Sequence, residues 1–363
     1  MKIVSLETFT RPEVSIVKVT TENGSKGYGQ ISTYNADISA EVFHRQVAPH
    51  ALGKDPANIE KIISNCLEAE YKFPGTYMCR ALSGLDTSLW DLKGKLAGKS
   101  VCELLGGTIG EVDVYGSSMR RDINPEDEAK RLKKLKNKFG FKAFKIRIGK
   151  ICGHDEDQWP GRTEKIVPAV REAIGDDTML YVDANSCYTP EKAIEVGQML
   201  ERYNVVHFEE PCPYWKIDWT RQVTDTLDIP VAGGEQDNSL EQWKRIINNQ
   251  VVDIVQPDIC YIGGLTRAHK VARMAKKAGL PCTPHSANLS LVTVFTLHLL
   301  KAIDNSGPFL EFTIEDNSRL EDLYTPKLKV ENGKVPIPEG PGWGVKINKE
   351  WLKDAEYEIS EID

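Results

Sequence analysis

Three carboxylates recur at a regular interval in the middle of the chain, and their types and spacing predict a divalent metal site. Asp183, Glu209 and Glu235 follow one another at steps of 26 residues, each after a short β-rich run, in VDAN, FEEP and GGE. Three carboxylates brought to one place would repel each other and would require a cation. Hard oxygen donors without Cys or His favour Mg²⁺. Salt bridges to neighbouring lysines are the alternative.

A histidine and an aspartate further along the chain form a candidate acid–base pair. Asp258, in QPD, and His285, in PHS, are 27 residues apart, again about one repeat. A carboxylate beside an imidazole fixes the tautomer of the ring and increases its basicity, which suits a general base or acid. A purely structural Asp–His hydrogen bond is the alternative, and the neighbouring carboxylates favour the catalytic interpretation.

Two cations lie in an otherwise apolar run, FKAFKIRIG at 141–149. In a strand, Lys145 and Arg147 point to the same face because side chains alternate. We expect both to face the cavity that holds the carboxylates, whose negative charge would neutralise them together with an anionic substrate. Salt bridges at a rim are the alternative.

These residues fall at the ends of predicted strands in a repeating strand–helix pattern. Eight β-rich runs alternate with amphipathic runs at roughly 25 residues per unit, which predicts a closed parallel β/α barrel. The predicted strands are 112–117, 141–148, 179–185, 205–211, 229–235, 252–258, 280–286 and 308–314. The carboxyl ends of such strands meet at one face, where active sites form. Asn185 and Glu311 are expected at the same face.

Helix signals between the strands support this pattern. Asn124 is a candidate N-cap before Pro125, and Gly140 is a stop signal for the same helix. Thr189 precedes Pro190 in the same way at the start of TPEKAIEVGQML.

The predicted fold class is α/β, a TIM-like (β/α) barrel with an N-terminal α+β capping domain completed by the C-terminal tail. The capping domain, residues 1–111, opens with a hairpin that turns near Asn23–Gly24 and continues with helical patterns. The catalytic barrel comprises residues 112–325. Residues 326–363 are expected to return to the capping domain or the barrel rim.

Composition excludes several classes of protein. A net charge of −7 without a basic run argues against nucleic-acid binding. No apolar stretch is long enough to span a membrane and no signal region leads the chain, so a cytoplasmic protein is expected. The eight cysteines form no C-x-x-C pair, which predicts reduced thiols.

The motifs KIR, VDAN, FEEP, GGE, QPD, PHS and FLEF together resemble the enolase superfamily, in its mandelate racemase-like group. The resemblance covers nearly the whole chain. It implies a Mg²⁺ cofactor, a carboxylate substrate, capping loops near residues 32–36 and 71–77, and a homo-oligomer. The implied roles are metal binding by Asp183, Glu209 and Glu235, catalysis by His285, Asp258, Lys145, Arg147 and Glu311, and substrate binding by Lys145, Arg147, Asn185 and Glu311.

One position departs from the pattern of the family. The usual motif is K-x-K, whose second lysine is often a second base, but here that residue is Arg147. Arginine stays protonated, with a pKa above about 12, so it is a poor base. It is a good bidentate partner for a carboxylate or a developing oxyanion. The substitution disfavours a symmetric two-base racemase.

Dehydration of an acid sugar is the reaction that we expect. His285 would abstract the α-proton, and the β-hydroxyl would leave as water to give a 2-keto acid. One alternative is a Mg²⁺-dependent racemase or epimerase of a hydroxy acid or amino acid derivative, with Lys145 or a tyrosine as second base. The other is a metal-binding protein without turnover.

The loop CGHDEDQWPGRT, residues 152–163, is expected to meet the distal end of the substrate. Arg162 or Trp159 is a candidate contact there. A solvated loop or a helix start is the alternative.

Overall fold

A computed structural model describes residues 1–150, 152–286, 288–320 and 322–362, and its N-terminal part is built on an antiparallel sheet. The first strands are β1 (Ile3–Arg11), β2 (Val14–Thr21) and β3 (Lys26–Ile31). The last two form the predicted hairpin, with Gly24 at φ 82° in its turn. Strand β1 lies outside the predicted elements, and several of its buried residues are polar, among them Glu7, Thr8 and Thr10.

Helices cover this sheet. They are α1 (Ala36–Val42), a π-helical turn (Phe43–Val47), α2 (Ala48–Ala51), α3 (Ile59–Ala69), α4 (Thr76–Ala97) and α5 (Val101–Leu104). Helix α4 lies directly on β3, and a Cβ on Gly29 would come within 2.4 Å of the backbone nitrogen of Ser88. Glycine in β3 therefore lets the backbones of strand and helix approach each other closely.

Parallel strands form the barrel. They are β4 (Glu111–Ser117), β5 (Ala143–Arg147), β6 (Met179–Asp183), β7 (Val205–Glu209), β8 (Val231–Gly233), β9 (Ile254–Val255) and β10 (Leu310–Thr313). Each pairs with the next from β4 to β9, and β10 pairs in parallel with β4. The α/β class, with a β/α barrel and an α+β cap, is as predicted.

The prediction of a seventh strand at 280–286 was wrong. In the described residues this segment contributes a single bridge position, Cys282, which pairs with Val255 on one side and Ser306 on the other. Pro281 and Pro284 have no N–H group to donate to a ladder, so the strand cannot extend.

Helices follow the barrel strands. They are α6 (Pro125–Phe139), α7 (Arg162–Ile174), α8 (Pro190–Glu201), α9 (Ile217–Thr224), α10 (Leu240–Asn248), α11 (Leu265–Lys277) and α12 (Leu291–Leu300). The predicted caps are present. The side chain of Asn124 accepts a hydrogen bond from the backbone N–H of Asp127 at 2.8 Å, and Gly140 ends α6 at φ 72°.

The C-terminal residues return to both parts of the molecule. Their elements are β11 (Tyr324–Thr325), β12 (Lys334–Pro336), β13 (Lys346–Ile347), α13 (Lys349–Lys353) and β14 (Glu356–Glu361). Strand β12 pairs with β4, and β14 pairs with β1 at the edge of the first sheet.

Two further features bear on the setting of the protein. All eight cysteines are free thiols, as expected. Within the described residues, no helix combines the length and apolarity needed to cross a lipid bilayer.

Candidate active site

The strand register brings the predicted site residues together at the carboxyl ends of the barrel strands. Arg147 on β5 is paired with Asp183 on β6, which is paired with Glu209 on β7. Parallel strands with this register place the three side chains side by side. Glu235 lies two residues beyond β8, and Glu311 lies within β10 beside β4.

Lys145 is at the centre of the carboxylates. It is fully buried, and its Nζ lies 2.6 Å from Oε1 of Glu209, 2.8 Å from Oε1 of Glu311 and 3.7 Å from Oδ2 of Asp183. Burial alone would lower the pKa of Lys145, but the attraction of Glu209 and Glu311 raises it well above its usual value. The neighbouring carboxylates therefore favour the protonated form of Lys145.

Arg147 lies next to Lys145 on the same strand face, as predicted. Its Nη1 donates to Oδ1 of Asn185 and lies 3.7 Å from Oδ2 of Asp183, while Nη2 is 2.8 Å from Sδ of Met119. Burial would lower the pKa of this guanidinium, but Asp183 and Glu235 hold it above its ordinary value. Asn185 thus contacts Arg147 rather than the carboxylates of neighbouring strands.

His285 and Asp258 are hydrogen-bonded across their two loops. Nδ1 of His285 lies 2.8 Å from Oδ2 of Asp258, whose Oδ1 accepts hydrogen bonds from the backbone N–H groups of Cys260 and Tyr261. A carboxylate at Nδ1 favours the tautomer with its proton there, which leaves Nε2 for proton transfer. That Nε2 lies 3.2 Å from Oε2 of Glu235.

Glu311 connects the two halves of the site. Its Oε1 contacts Lys145, and its Oε2 lies 3.8 Å from Nε2 of His285. Burial would raise the pKa of Glu311, but the attraction of Lys145 and His285 lowers it to about 2. Glu311 is therefore an ionised acceptor between the two candidate catalytic cations.

Two polar residues of this cluster were missed in the sequence analysis. The hydroxyl of Ser117 donates to Oε1 of Glu311 at 2.7 Å, and the amide of Gln256 donates to Oε2 of Glu209 at 2.9 Å. Ser117 ends the first barrel strand and Gln256 opens QPD, so the strand-end criterion points to both.

Three carboxylates of this cluster are the predicted metal ligands. Asp183, Glu209 and Glu235 are all buried, and Oδ2 of Asp183 has no hydrogen-bond partner in the described chain. Burial and the repulsion of Glu209 and Asp183 raise the pKa of Glu235, although His285 opposes this effect. Among the described residues, no three Asp, Glu, His or Cys side chains are already close enough together to hold a metal ion. Carboxylate oxygens are hard donors, of the kind that Mg²⁺ takes in proteins.

The cap meets the barrel mouth beside the histidine. The Arg80 guanidinium lies 3.6 Å from the ring centre of Tyr261 and donates to the hydroxyl of Ser32 and the carbonyl of Thr33. The Tyr261 ring is in turn 5.7 Å from that of His285. The loop around residues 32–36 is therefore next to the site.

Arg162, one of the two candidate substrate contacts on the loop at 152–163, forms its hydrogen bonds within the protein. This side chain is completely buried, and it donates to the backbone carbonyls of Ile123, Arg147 and Arg120 at 3.3, 2.9 and 3.3 Å. Residue 162 is the first of α7, so a helix start, the alternative interpretation, describes it. Trp159 is partly exposed, and the centre of its ring lies 5.3 Å from Cζ of Arg162.

Family models match both parts of the chain. Residues 2–106 match the mandelate racemase / muconate lactonizing enzyme N-terminal domain, and residues 127–351 match the enolase C-terminal domain-like model.

Known proteins resemble the chain over nearly its full length. Arabinonate dehydratase of Saccharolobus solfataricus is 31% identical over 92% of this chain and 88% of its own. D-galactarolactone cycloisomerase of Agrobacterium fabrum is 32% identical over 95% and 92%. A provisionally named racemase of Roseobacter denitrificans has a crystal structure that matches with a TM-score of 0.98, at 53% identity and 100% coverage of both chains. Further relatives at 28–29% identity are named for talarate/galactarate, gluconate and galactonate dehydration.

Proposed function

Given that the chain belongs to the enolase superfamily, in its mandelate racemase-like group, we propose that it is a Mg²⁺-dependent dehydratase of acid sugars. The observation that supports this reaction best is the asymmetry of the site. Asp258 orients His285 through Nδ1 and leaves Nε2 as the candidate base on one side, while Lys145 and Arg147 face the carboxylates from another strand. A site with one suitable base favours elimination over inversion of configuration.

Asp183, Glu209 and Glu235 would hold the metal. When bound, Mg²⁺ would supply positive charge for the substrate carboxylate as negative charge develops there. Lys145 would add a second positive charge from the protein itself, because it is held between Glu209 and Glu311. This matters because removing a proton next to a carboxylate creates a dianion, which water alone stabilises poorly.

His285 would carry the proton in both half-reactions. Its Nε2 takes the α-proton, and Asp258 stabilises the imidazolium through Nδ1–H. The imidazolium then returns that proton to the β-hydroxyl as the C–O bond breaks, so that water leaves. The resulting enol tautomerises to a 2-keto acid. Glu311 and Arg147 would orient the substrate through its hydroxyl and carboxylate oxygens.

A racemase or epimerase is the second candidate function. The provisional name of the Roseobacter relative favours it, as does the presence of Lys145, which would have to lose a proton to serve as the second base. Arg147 occupies the position at which the family pattern has its second lysine, and a guanidinium does not take that role at neutral pH. A metal-binding protein without turnover is the third candidate.

The experiment is a screen of acid sugars in deuterium oxide with Mg²⁺, reading keto acid formation and α-deuteration of recovered substrate. A dehydratase forms a keto acid, whereas an epimerase exchanges the α-proton without losing water, and a mere binder does neither. Exhaustive treatment with EDTA should abolish the reaction, and Mg²⁺ should restore it. Full activity after EDTA would contradict the metal dependence, and deuteration without keto acid would contradict the dehydratase.

A further inference from the structure

Two arginines share a single neutral acceptor at the edge of the site. Arg121, on the segment that follows β4, donates from Nη2 to Oδ1 of Asn185 at 2.6 Å. Arg147 donates from Nη1 to the same oxygen. One amide oxygen thus faces two guanidinium groups, although a carboxylate is the partner that such a pair would ordinarily have.

The two arginines differ in how their positive charge is balanced. Nη1 of Arg147 forms an ion pair with Oδ2 of Asp183 at 3.7 Å, whereas Arg121 forms no ion pair within the described residues. The Nε atoms of both arginines are buried, and neither has a hydrogen-bond partner in the described chain. Buried donors without partners are costly, so the arrangement calls for an acceptor from outside the chain.

The backbone segments that carry the two arginines are joined by hydrogen bonds. The buried side chain of Arg162 donates to the backbone carbonyls of Arg147 and Arg120, which ties the end of β5 to the segment that carries Arg121. Asn185 adopts a left-handed conformation, φ 43°, and its backbone N–H donates to Oδ1 of Asp183 at 2.7 Å. The pair is therefore a preorganised feature of the barrel mouth rather than two free surface chains.

The two arginines lie at different distances from the reaction centre. Arg147 contacts Asn185 and approaches Asp183, whereas the hydrogen bond of Arg121 goes to Asn185 alone. Arg147 is thus the inner member and Arg121 the outer member. A substrate whose first carboxylate lies among Lys145 and the proposed metal ligands would direct its other end toward Arg121.

We propose that Arg121, with Arg147, binds a second carboxylate at the far end of the substrate, so that the enzyme acts on a dicarboxylic acid sugar. This inference rests on the proposed function, whose substrate it specifies. Guanidinium groups match the planar carboxylate with paired hydrogen bonds, and such contacts give specificity as well as affinity. A neutral terminal hydroxymethyl group can accept a hydrogen bond, but it has neither the negative charge nor the second oxygen that a paired contact requires.

The test is calorimetric binding of three ligands with Mg²⁺ present: a six-carbon sugar diacid, the monoacid of the same stereochemistry and the terminal phosphate ester of that monoacid. We expect the diacid to bind about 10- to 100-fold more tightly than the monoacid. Arg121→Gln, which keeps an amide donor for Asn185 but removes the charge, should reduce this ratio at least about tenfold. Arg121→Lys should retain part of it.

Arg120→Gln is the matched control. Arg120 precedes Arg121 on the same segment, but its guanidinium is paired with Asp122 at 2.9 and 3.0 Å. Removing that charge should leave the ratio as in the parent. A parent that binds diacid and monoacid equally, that binds neither, or that prefers the phosphate ester would overturn the inference. So would an Arg121→Gln variant that weakens both acids equally.

Turnover separates this inference from the proposed reaction. If the diacid binds with a preference that depends on Arg121 but forms no keto acid, the carboxylate subsite stands and the dehydratase assignment fails. If keto acid forms equally well from diacid and monoacid, and Arg121→Gln affects both alike, the dehydratase stands and the subsite fails.

Discussion

His285 is the residue on which the proposed chemistry depends most directly. Its Nδ1 is engaged by Asp258, and its Nε2 lies 3.8 Å from Glu311 and 3.2 Å from Glu235. Burial alone would lower the pKa of His285, but Glu235 and Asp258 raise it well above its usual value. The surrounding carboxylates therefore stabilise the imidazolium that proton abstraction would create.

His285→Asn should abolish both α-proton exchange and turnover, because the asparagine amide cannot accept the proton that Nε2 of His285 would take. We expect a loss of about 10²–10⁴-fold in kcat, the usual contribution of a general base. Asp258→Asn should be less severe, since Asp258 orients the ring without receiving the proton. Deuterium exchange followed by NMR measures both effects. Turnover by His285→Asn near the parent rate would refute the single-base mechanism.

Arg147→Lys restores the usual K-x-K pattern and tests whether Arg147 orients the substrate or transfers protons. Dehydration should fall about 10- to 100-fold, because a lysine cannot make the paired contact. Exchange of the α-proton on the face opposite His285 is the gain expected from a group that can deprotonate. The measurement is deuterium incorporation into each epimer of an accepted substrate. If the parent already exchanges both epimers at similar rates, the case for dehydration loses its main support.

At the scale of elements, α7 supports the barrel at both ends through two buried arginines. Arg162, its first residue, donates to three backbone carbonyls near the active site. Arg171, near its end, donates to the carbonyls of Tyr203, Gly175, Thr178 and Asn204, which precede β6 and β7. One helix therefore fixes loops at opposite ends of the barrel.

Arg162→Met and Arg171→Met should separate the positioning of the site from general stability. Each variant leaves backbone carbonyls without their donor, so we expect each to lose about 1–3 kcal/mol of unfolding free energy in urea. Only Arg162→Met should also lower kcat below the unfolding transition, because only Arg162 holds the end of β5 and the segment of Arg121. Equal kcat values for the two variants would contradict this division.

At the scale of the whole molecule, the C-terminal tail and the end of the barrel are tied to the cap by buried polar contacts. The backbone N–H of Trp343 donates to Asp91 on α4 at 3.1 Å. His298, on α12, accepts from the backbone N–H of Cys102 through Nδ1 at 3.1 Å and lies 3.2 Å from the carbonyl of Trp343 through Nε2. A neutral imidazole is required, because Nδ1 must accept while Nε2 donates.

This histidine should make the protein acid-sensitive. Burial lowers the pKa of His298 to about 4, whereas the unfolded chain has a pKa near 6.5. The unfolded state then binds the proton first, so stability is complete above about pH 6.5 and falls as the pH drops toward 4. His298→Gln, which can donate and accept without titrating, should reduce the loss between pH 7 and 4.5 by about 2–3 kcal/mol. Identical pH dependence in urea unfolding of parent and variant would refute the prediction.

Local signals in the sequence were sufficient for much of the fold and for the set of charged site residues. The caps at Asn124 and Thr189 and the stop at Gly140 are short-range effects, so they were predicted where the structure has them. The strand-end residues were predicted to be neighbours because parallel strands have one common carboxyl face, whatever their distance in sequence.

Contacts between distant segments were decided only by the tertiary structure. That Arg162 would support the backbone, and that Arg121 would meet Arg147 at Asn185, depends on how separate loops fold over the barrel mouth. In the same way, only the tertiary structure shows that the segment at 280–286 pairs through Cys282 alone, with Val255 on one side and Ser306 on the other. Periodicity and capping report interactions within a few residues, whereas a side chain at the end of a loop takes its partner from long-range packing.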